Sequence, residues 1–232
     1  WWHGLVSRDW FRHWKYYKPL LALQSNRLGC YIRDTTGTRE YRKDLIRYIE
    51  KNKNVYCPLL LNQTVSSDAS AMIEWGDTER FDIHIVAETI FDTKKTHLTE
   101  KVFKPIVMEQ PFIVFSGPNS LKYMRDYGFQ TFDCCWDESY DEIQDSSERF
   151  AAITDLITYL SSLGKDKYNK LISRARLIAK NNRDYFFSQK FEDVLVNELH
   201  TNLNDAFCVQ QQNYFSDPGG MYFRVVNELK HY

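Results

Sequence analysis

Residues 81–120 read FDIHIVAETIFDTKKTHLTEKVFKPIVMEQPFIVFSGPNS, and this stretch decides the fold. A nearly continuous apolar run ends at the carboxylate of Glu88, which predicts a buried strand. After a polar loop, Thr99 opens an apolar-periodic segment that predicts a helix. Pro111 then begins a second apolar run, which ends in a turn at 117–119. Strand, helix and strand in this order are typical of a parallel α/β sheet.

The flanking segments extend the same alternation. The predicted strands are 29–33, 55–61, 81–88, 111–117 and 129–133. Besides the helix that begins at Thr99, the predicted helices are 39–51, about 69–74, 119–128 and about 147–206, with a break at Gly164. We therefore predict an α/β fold, a doubly wound, Rossmann-like parallel sheet with long C-terminal helices. The predicted division is an N-terminal edge over 1–25, a nucleotide-binding domain over 26–165 and a helical region over 166–232.

Two segments outside the sheet carry weaker signals. Residues 1–23 mix aromatic and basic residues, with Trp10, Trp14, Tyr17 and Leu21 at helical spacing. This pattern predicts an amphipathic helix packed on the next domain, and an RNA-stacking surface is the alternative. The acidic segment 136–145 is predicted to be a solvated loop.

Composition limits the class of protein. The chain has 232 residues, 43% of them hydrophobic, and a net charge of −1, which argues against a nucleic-acid coat protein. We expect no membrane span, because no run approaches about 20 apolar residues. The five cysteines form no C-x-x-C pair, so we expect free thiols and a cytoplasmic location, host cytoplasm if the protein is viral. The chain begins at Trp1, so we expect residues that complete the site to precede it.

Candidate ligand-binding residues cluster in two strand–loop–helix units. In open α/β sheets, ligands bind where the carboxyl ends of the strands meet the helix N-termini. A carboxylate at such a helix start accepts hydrogen bonds from ribose hydroxyls, whereas lysine and arginine neutralise phosphates. The candidates are Arg39, Arg42, Glu88, Thr99, Glu100, Lys101, Gly117 and Asn119.

The absence of other motifs favours a metal-independent diphosphate site. The chain contains no D-x-D triplet, no P-loop, no G-x-G-x-x-G and no G-x-S-x-G. Arginine, lysine and helix dipoles would then stabilise a diphosphate leaving group, so we expect neither metal nor cofactor. Structural alternatives stay open: Thr99 and Glu100 also fit simple helix capping, and Arg39 and Arg42 also fit a solvated helix start.

The segment AETIFDTKKTHLTEKVFKPIVMEQPFIVFSGPNSL resembles the α1,3-fucosyltransferases and their viral and phage relatives. The resemblance rests on Glu88, on the triplet Thr99-Glu100-Lys101 and on the Pro111–Asn119 turn, with Arg39 upstream. It covers about residues 28–165. The family's tyrosine before T-E-K is not kept, because His97 and Leu98 stand there.

The resemblance implies a glycosyltransferase of the GT-B type that moves a sugar from a nucleoside diphosphate sugar to a hydroxyl acceptor. That acceptor would be a glycan or a modified DNA base. The resemblance further implies that Glu100 binds ribose, that Lys101 and Arg39 bind the diphosphate, and that an N-terminal lobe supplies a general base. Only residues 1–25 fit that lobe, which makes His3 and Asp9 the candidate catalytic residues. The alternative is a non-catalytic interaction module that retains the nucleotide lobe as a scaffold.

Overall fold

The computed structural model describes residues 2–18, 26–52, 54–59, 71–73, 76, 79–92 and 95–216. Four strands lie in this part of the chain: β1 (Asn26–Cys30), β2 (Val55–Tyr56), β3 (Phe81–Ala87) and β4 (Phe112–Phe115). The α-helices are α1 (Trp2–Phe11), α2 (Tyr41–Glu50), α3 (Glu100–Val107), α4 (Ser120–Asp126), α5 (Ser146–Ser162), α6 (Lys165–Phe186) and α7 (Gln189–Ser216). Short 3-10 helices span Arg12–Tyr16, Gly37–Arg39 and Ser139–Glu142.

The strands form one parallel sheet in the order β2-β1-β3-β4, which confirms the predicted α/β architecture. From β1 the chain moves to β2 on one side, and it then crosses back to place β3 on the other side of β1. The strand order therefore reverses between β1 and β3. Since crossovers are almost always right-handed, this reversal places α2 and α3 on opposite faces of the sheet.

The central strand β3 is buried along nearly its whole length, as its apolar sequence predicts. On one face the ring of Phe81 lies over Gly29 of β1. A Cβ atom at Gly29 would stand only 2.2 Å from Cδ1 of Phe81, so this close approach requires glycine. Strands β1 and β3 thus fit together at the centre of the sheet, beside the point where the strand order reverses.

Two of the predicted strands need correction. Residues 129–133 form no strand, because other groups satisfy their backbone. The amide of Gln130 donates to Oδ1 of Asn182 at 2.8 Å, and the amide of Phe132 donates to Oε1 of Glu138 at 2.8 Å. The second strand, predicted over 55–61, ends at Tyr56, and up to Leu59, the last described residue before 71, an isolated bridge between Ile32 and Leu59 continues the pairing. The helix predicted near 69–74 falls mostly outside the described residues.

The N-terminal segment does not form the predicted single helix through Tyr17. Helix α1 ends at Phe11, and among its residues of described burial Gly4, Ser7 and Phe11 are buried, whereas Trp10 is not. Trp10 is 39% exposed, and Leu21 lies outside the described residues. A Cβ atom at Gly4 would lie 2.9 Å from Cδ2 of Leu195, so the glycine lets α1 approach α7 closely. Helix α1 also packs against α3.

The C-terminal helices share the same core as the sheet. Buried side chains form one cluster that runs from Phe11 in α1 to Leu195 in α7. Within it, the rings of Phe186 and Phe191 lie 5.3 and 6.3 Å from the ring of Phe103 in α3. Helices α6 and α7 therefore hold α3 from the side opposite the strands.

Candidate functional site

Glu88 stands at the carboxyl end of β3 and is fully buried. Its Oε1 accepts a hydrogen bond from the amide of Thr99 at 3.0 Å, and its Oε2 accepts one from the Thr99 hydroxyl at 2.7 Å. Burial raises the pKa of Glu88, while the charge of Lys101 and the bonds from Thr99 oppose that rise. The Glu88 carboxylate is thus committed to holding the start of α3 in place and does not face a ligand.

Thr99 is the N-cap of α3, as the sequence indicated. Its hydroxyl oxygen accepts a bond from the Lys101 amide at 3.4 Å while donating to Glu88. Thr99 is itself buried, so its role is to join the end of β3 to the first turn of α3.

Glu100 and Lys101 occupy the first turn of α3 and form an ion pair, with Nζ of Lys101 2.9 Å from Oε1 of Glu100. The Lys101 side chain is 34% exposed and that of Glu100 is 13% exposed. Partial burial works to raise the pKa of Glu100, but the charge and hydrogen bond of Lys101 outweigh it and lower that pKa. Glu100 is therefore an ionised acceptor at neutral pH, beside a partly exposed ammonium group.

His3 reaches this pair from α1. Its ring packs edge-on against that of His97, with the centroids 5.3 Å apart. Burial is the largest cause that lowers the pKa of His3, and the charges of His97 and Lys101 lower it further. The negative charge of Glu100 opposes them. We call His3, His97, Glu100 and Lys101 the α3-start cluster. Sequence reasoning named three of its members but assigned His97 no role in it.

Asp9, the other candidate base, does not join the α3-start cluster. Its side chain is 71% exposed and pairs with Arg12 one helical turn further on. The neighbouring Arg8 pairs with α7, where its Nη2 lies 2.7 Å from Oε2 of Glu192. Asp9 lies six positions after His3 in the helix, which amounts to about 9 Å along the axis. The structure therefore separates the two residues that the sequence analysis grouped.

Arg39 lies in the loop after β1 and pairs with Asp34, with Nη1 3.0 Å from Oδ2. Both side chains are about one-third exposed or more. Asp34 also accepts bonds from the amide and the hydroxyl of Thr36, and these bonds, followed by Arg39, lower the pKa of Asp34. Sequence reasoning missed Asp34, although the run Asp34-Thr35-Thr36-Gly37 carries the signal of a side-chain-closed turn.

Arg42 is buried and contacts backbone rather than solvent. Its guanidinium donates to the carbonyl oxygens of Asp34 at 2.9 Å, Ala87 at 2.6 Å and Glu88 at 2.9 Å. Arg42 thus fastens the loop after β1 to the end of β3. The loop that carries Arg39 and the loop that leads to Glu100 consequently lie at one edge, beside the reversal of strand order.

Gly117 and Asn119 form the turn after β4, as predicted. The carbonyl of Gly117 accepts a bond from the Ser120 hydroxyl at 2.7 Å, and Asn119 takes a left-handed conformation with φ of 61°. Asp141 accepts bonds from the amides of Leu121 and Lys122 at 2.9 and 3.0 Å. The N-terminus of α4 is therefore already occupied by a carboxylate of the same chain.

Comparison with family models, curated proteins and solved structures finds no match for this chain. Across the described ranges, no three His, Cys, Asp or Glu side chains are grouped to hold a metal ion. Nor does any helix within those ranges have both the length and the apolar character needed to cross a membrane.

Proposed function

We propose that this chain carries the donor-binding half of a glycosyltransferase, which moves a sugar from a nucleoside diphosphate sugar to a hydroxyl acceptor. The observation that carries the proposal is the ion pair of Glu100 and Lys101 at the start of α3. It lies at the carboxyl edge of the sheet beside the reversal of strand order, where ligands bind in open α/β folds.

The Glu100 carboxylate suits the ribose of the donor. It stays ionised at neutral pH because Lys101 lowers its pKa, and an ionised carboxylate accepts hydrogen bonds from two vicinal hydroxyls. Glu88 and Thr99 hold the helix start that carries Glu100, so its position is set before a ligand arrives.

Lys101 and Arg39 suit the diphosphate. Each presents a partly exposed cationic group, and each is balanced by a carboxylate of the chain, Glu100 or Asp34. A diphosphate that enters between the two loops exchanges these internal pairs for contacts with phosphate oxygens. The same cations stabilise the charge that develops on the leaving diphosphate during transfer.

His3 is the base in this proposal. Because its pKa lies below the ordinary histidine value, its imidazole is neutral at pH 7 and able to accept a proton. It accepts that proton from the acceptor hydroxyl as the hydroxyl oxygen bonds to the sugar and the nucleoside diphosphate leaves. The acceptor is a glycan or a hydroxylated base of modified DNA.

One observation favours the alternative, a binding or scaffold module without catalysis. Arg42 and Glu88, two residues proposed for ligand contact, are buried and hydrogen-bonded to groups of the same chain. In the enzyme proposal they position the loops instead. The two proposals differ in whether the chain binds a nucleoside diphosphate and turns over its sugar.

Calorimetric titration with nucleoside diphosphates and their sugar conjugates tests donor binding. We expect saturable binding of at least one, weakened about 10- to 100-fold by Glu100→Gln, because a hydrogen bond to a charged group contributes about 1.5–3 kcal/mol. Glu148→Gln, which changes an exposed carboxylate in the first turn of α5, is the matched control and leaves binding unchanged. Failure of every nucleotide to bind contradicts the proposal.

Release of the nucleoside diphosphate, followed by mass spectrometry, tests catalysis. We expect donor hydrolysis or transfer by the unaltered chain and at least a 100-fold slower rate for His3→Asn, since general-base catalysis contributes about 10²–10⁴-fold. Binding without any turnover favours the scaffold module.

A further inference from the structure

Cys30, at the end of β1, lies opposite Cys57, which directly follows the neighbouring strand β2. The register pairs Leu28 with Val55 and Gly29 with Tyr56, and the bridge of Ile32 to Leu59 keeps the same offset further on. Two positions lie between these pairs, and the first of them places Cys30 opposite Cys57. Parallel strands lie about 4.8 Å apart, and this spacing falls within the range of about 4.4–6.8 Å between Cα atoms that a disulfide bridges.

The two sulfur atoms differ in access to solvent. Cys30 is fully buried in β1, whereas Cys57 is half-buried just after β2. Cys57 also lines a cavity of about 230 Å³ next to Ile46 and Ile49 of α2, with Glu50 and Asn52 at its polar side. A small molecule that enters this cavity therefore meets Cys57 first, with Cys30 behind it.

The thiols also differ in proton affinity. The hydrogen bond from the Cys30 thiol lowers the pKa of Cys57, although burial works in the other direction. The same hydrogen bond, together with burial, raises the pKa of Cys30. Since the thiolate is the nucleophile in thiol chemistry, the more accessible sulfur is also the more reactive one.

We propose that Cys57 is a site of modification by small hydroperoxides, with Cys30 as the thiol that resolves it to a disulfide. The Cys57 thiolate attacks the terminal oxygen of the peroxide, the O–O bond breaks, and the alkoxide or hydroxide takes up a proton and leaves as alcohol or water. Cys57 is then a sulfenic acid. The sulfur of Cys30 attacks the Cys57 sulfur, and its proton leaves with the sulfenic hydroxyl as water.

Three other thiols serve as internal comparators. Cys134 and Cys135 are adjacent, with their sulfur atoms 3.8 Å apart, and Cys208 is exposed on α7. Burial, followed by its contact with Cys134, raises the pKa of Cys135 to about 12, which disfavours its thiolate. The proposal does not depend on the glycosyltransferase assignment, because it uses neither the α3-start cluster nor Arg39.

Peptide mapping of the full chain after treatment with hydrogen peroxide tests the proposal. Trypsin places Cys30 alone in residues 28–33 and Cys57 alone in residues 54–80. At substoichiometric peroxide we expect these two peptides to be joined and two hydrogens lighter than their sum, before Cys208 is oxidised. Oxidation of Met72, which lies in the second peptide, adds oxygen and is therefore distinguished by mass.

Trapping of the intermediate gives a second readout. In Cys30→Ser the sulfenic acid of Cys57 has no resolving thiol, so dimedone labels Cys57 stoichiometrically, whereas Cys57→Ser gives neither label nor cross-link. Cys134→Ser combined with Cys135→Ser leaves the cross-link unchanged. If Cys30→Ser does not fold, Cys30→Ala and the mapping of the unaltered chain decide the matter. Peptides 28–33 and 54–80 that remain separate thiols while Cys208 or the Cys134–Cys135 pair oxidises overturn the proposal.

Discussion

The hydroxyl of Thr99 donates a 2.7 Å hydrogen bond to Oε2 of Glu88, and this contact joins the end of β3 to the start of α3. Both side chains are buried, so neither water nor a ligand replaces the bond when it is removed. It fixes the helix turn that presents Glu100 and Lys101. The same hydrogen bond therefore contributes both to the stability of the fold and to the position of Glu100 and Lys101.

Replacement of Thr99 by valine removes that hydroxyl while keeping the side-chain shape. We expect a loss of roughly 2–4 kcal/mol in the free energy of unfolding, because the helix loses its cap and a buried carboxylate loses a donor. Urea denaturation measures the loss. Thr201→Val, which removes an exposed hydroxyl on α7, is the control and should change stability by less than about 0.5 kcal/mol. Equal stability of the two variants would show that the contact is not needed.

Replacement of Asp34 by asparagine tests whether Arg39 faces a diphosphate. Asparagine keeps an oxygen that accepts the Thr36 bonds but removes the charge that balances Arg39. We expect nucleoside diphosphate affinity to rise roughly two- to fivefold, as release of a solvent-exposed pair worth about 0.2–1 kcal/mol predicts. Asp44→Asn is the calorimetric control. It removes the exposed carboxylate that pairs with Arg47 within helix α2. Weaker or unaltered binding by Asp34→Asn would remove Arg39 from the site.

Replacement of His97 by glutamine tests the electrostatic coupling within the α3-start cluster. His97 lowers the pKa of His3 by like-charge repulsion, in addition to the larger effect of burial. Removal of His97 should therefore raise the pKa of His3 toward the ordinary value of about 6.5. An NMR titration of the imidazole proton measures this, with the His3 signal assigned by its loss in His3→Asn. A His3 titration that stays in place would exclude the coupling.

If His3 is the base, the same His97→Gln variant shifts the pH profile of transfer. A base is active when unprotonated, so the acid limb of kcat/KM follows the pKa of His3. We expect that limb to move to higher pH in the variant while the rate on the alkaline plateau changes less. A shift seen by NMR without a matching shift in the rate profile would leave His3 outside the proton transfer.

Glu138 makes stability depend on pH. Burial raises its pKa to about 7, against bonds from Thr131 and the Phe132 amide. The folded chain thus holds a proton that the unfolded chain releases above about pH 4.5, so this group's contribution to stability falls as pH rises from about 4.5 to about 7. We compare the free energy of unfolding of Glu138→Gln with that of the unaltered chain at each pH. The deficit of the variant should be roughly 3 kcal/mol larger at pH 4.5 than at pH 8.

The difference in unfolding free energy between the unaltered chain and Glu138→Gln isolates Glu138, because His84 changes stability with pH in the opposite sense. Burial lowers the pKa of His84 to about 3, so its contribution to stability is lost as pH falls below about 6.5. Both proteins contain His84, and its effect cancels in the comparison. Glu142→Gln, a change at an exposed carboxylate four residues away, is the control and should show no pH-dependent difference. A pH-independent difference for Glu138→Gln would show that Glu138 titrates normally.

Sequence patterns predicted the secondary structure correctly where backbone pairing and burial follow the local periodicity of apolar residues. The apolar runs before Glu88 and after Pro111 are strands because both faces of a parallel sheet are covered. The cap at Thr99 and the left-handed turn at Asn119 also follow from residue type. The α/β class was therefore predictable without coordinates.

Sequence patterns gave wrong predictions where a side chain that is distant in the sequence hydrogen-bonds to the backbone. The segment 129–133 is apolar enough for a strand, but Asn182 and Glu138 occupy its amides. The acidic segment 136–145 reads as solvated, yet Glu138 and Asp141 are buried and bind amides of neighbouring segments. The sequence shows that a residue is charged, but it does not show whether a hydrogen-bond donor from a distant segment contacts that residue in the fold.

The first turn of α3, with Glu100 and Lys101 at an edge of a parallel sheet, was determined by the sequence alone, because strand, cap and helix signals are local. Only the tertiary structure decided which residues face that edge. It placed His3 beside His97, on a helix α1 that Gly4 lets approach α7 closely, and it left Asp9 in solvent with Arg12. It also turned Arg42 inward, where its guanidinium donates to three carbonyl groups, because backbone oxygens buried away from water need hydrogen-bond donors.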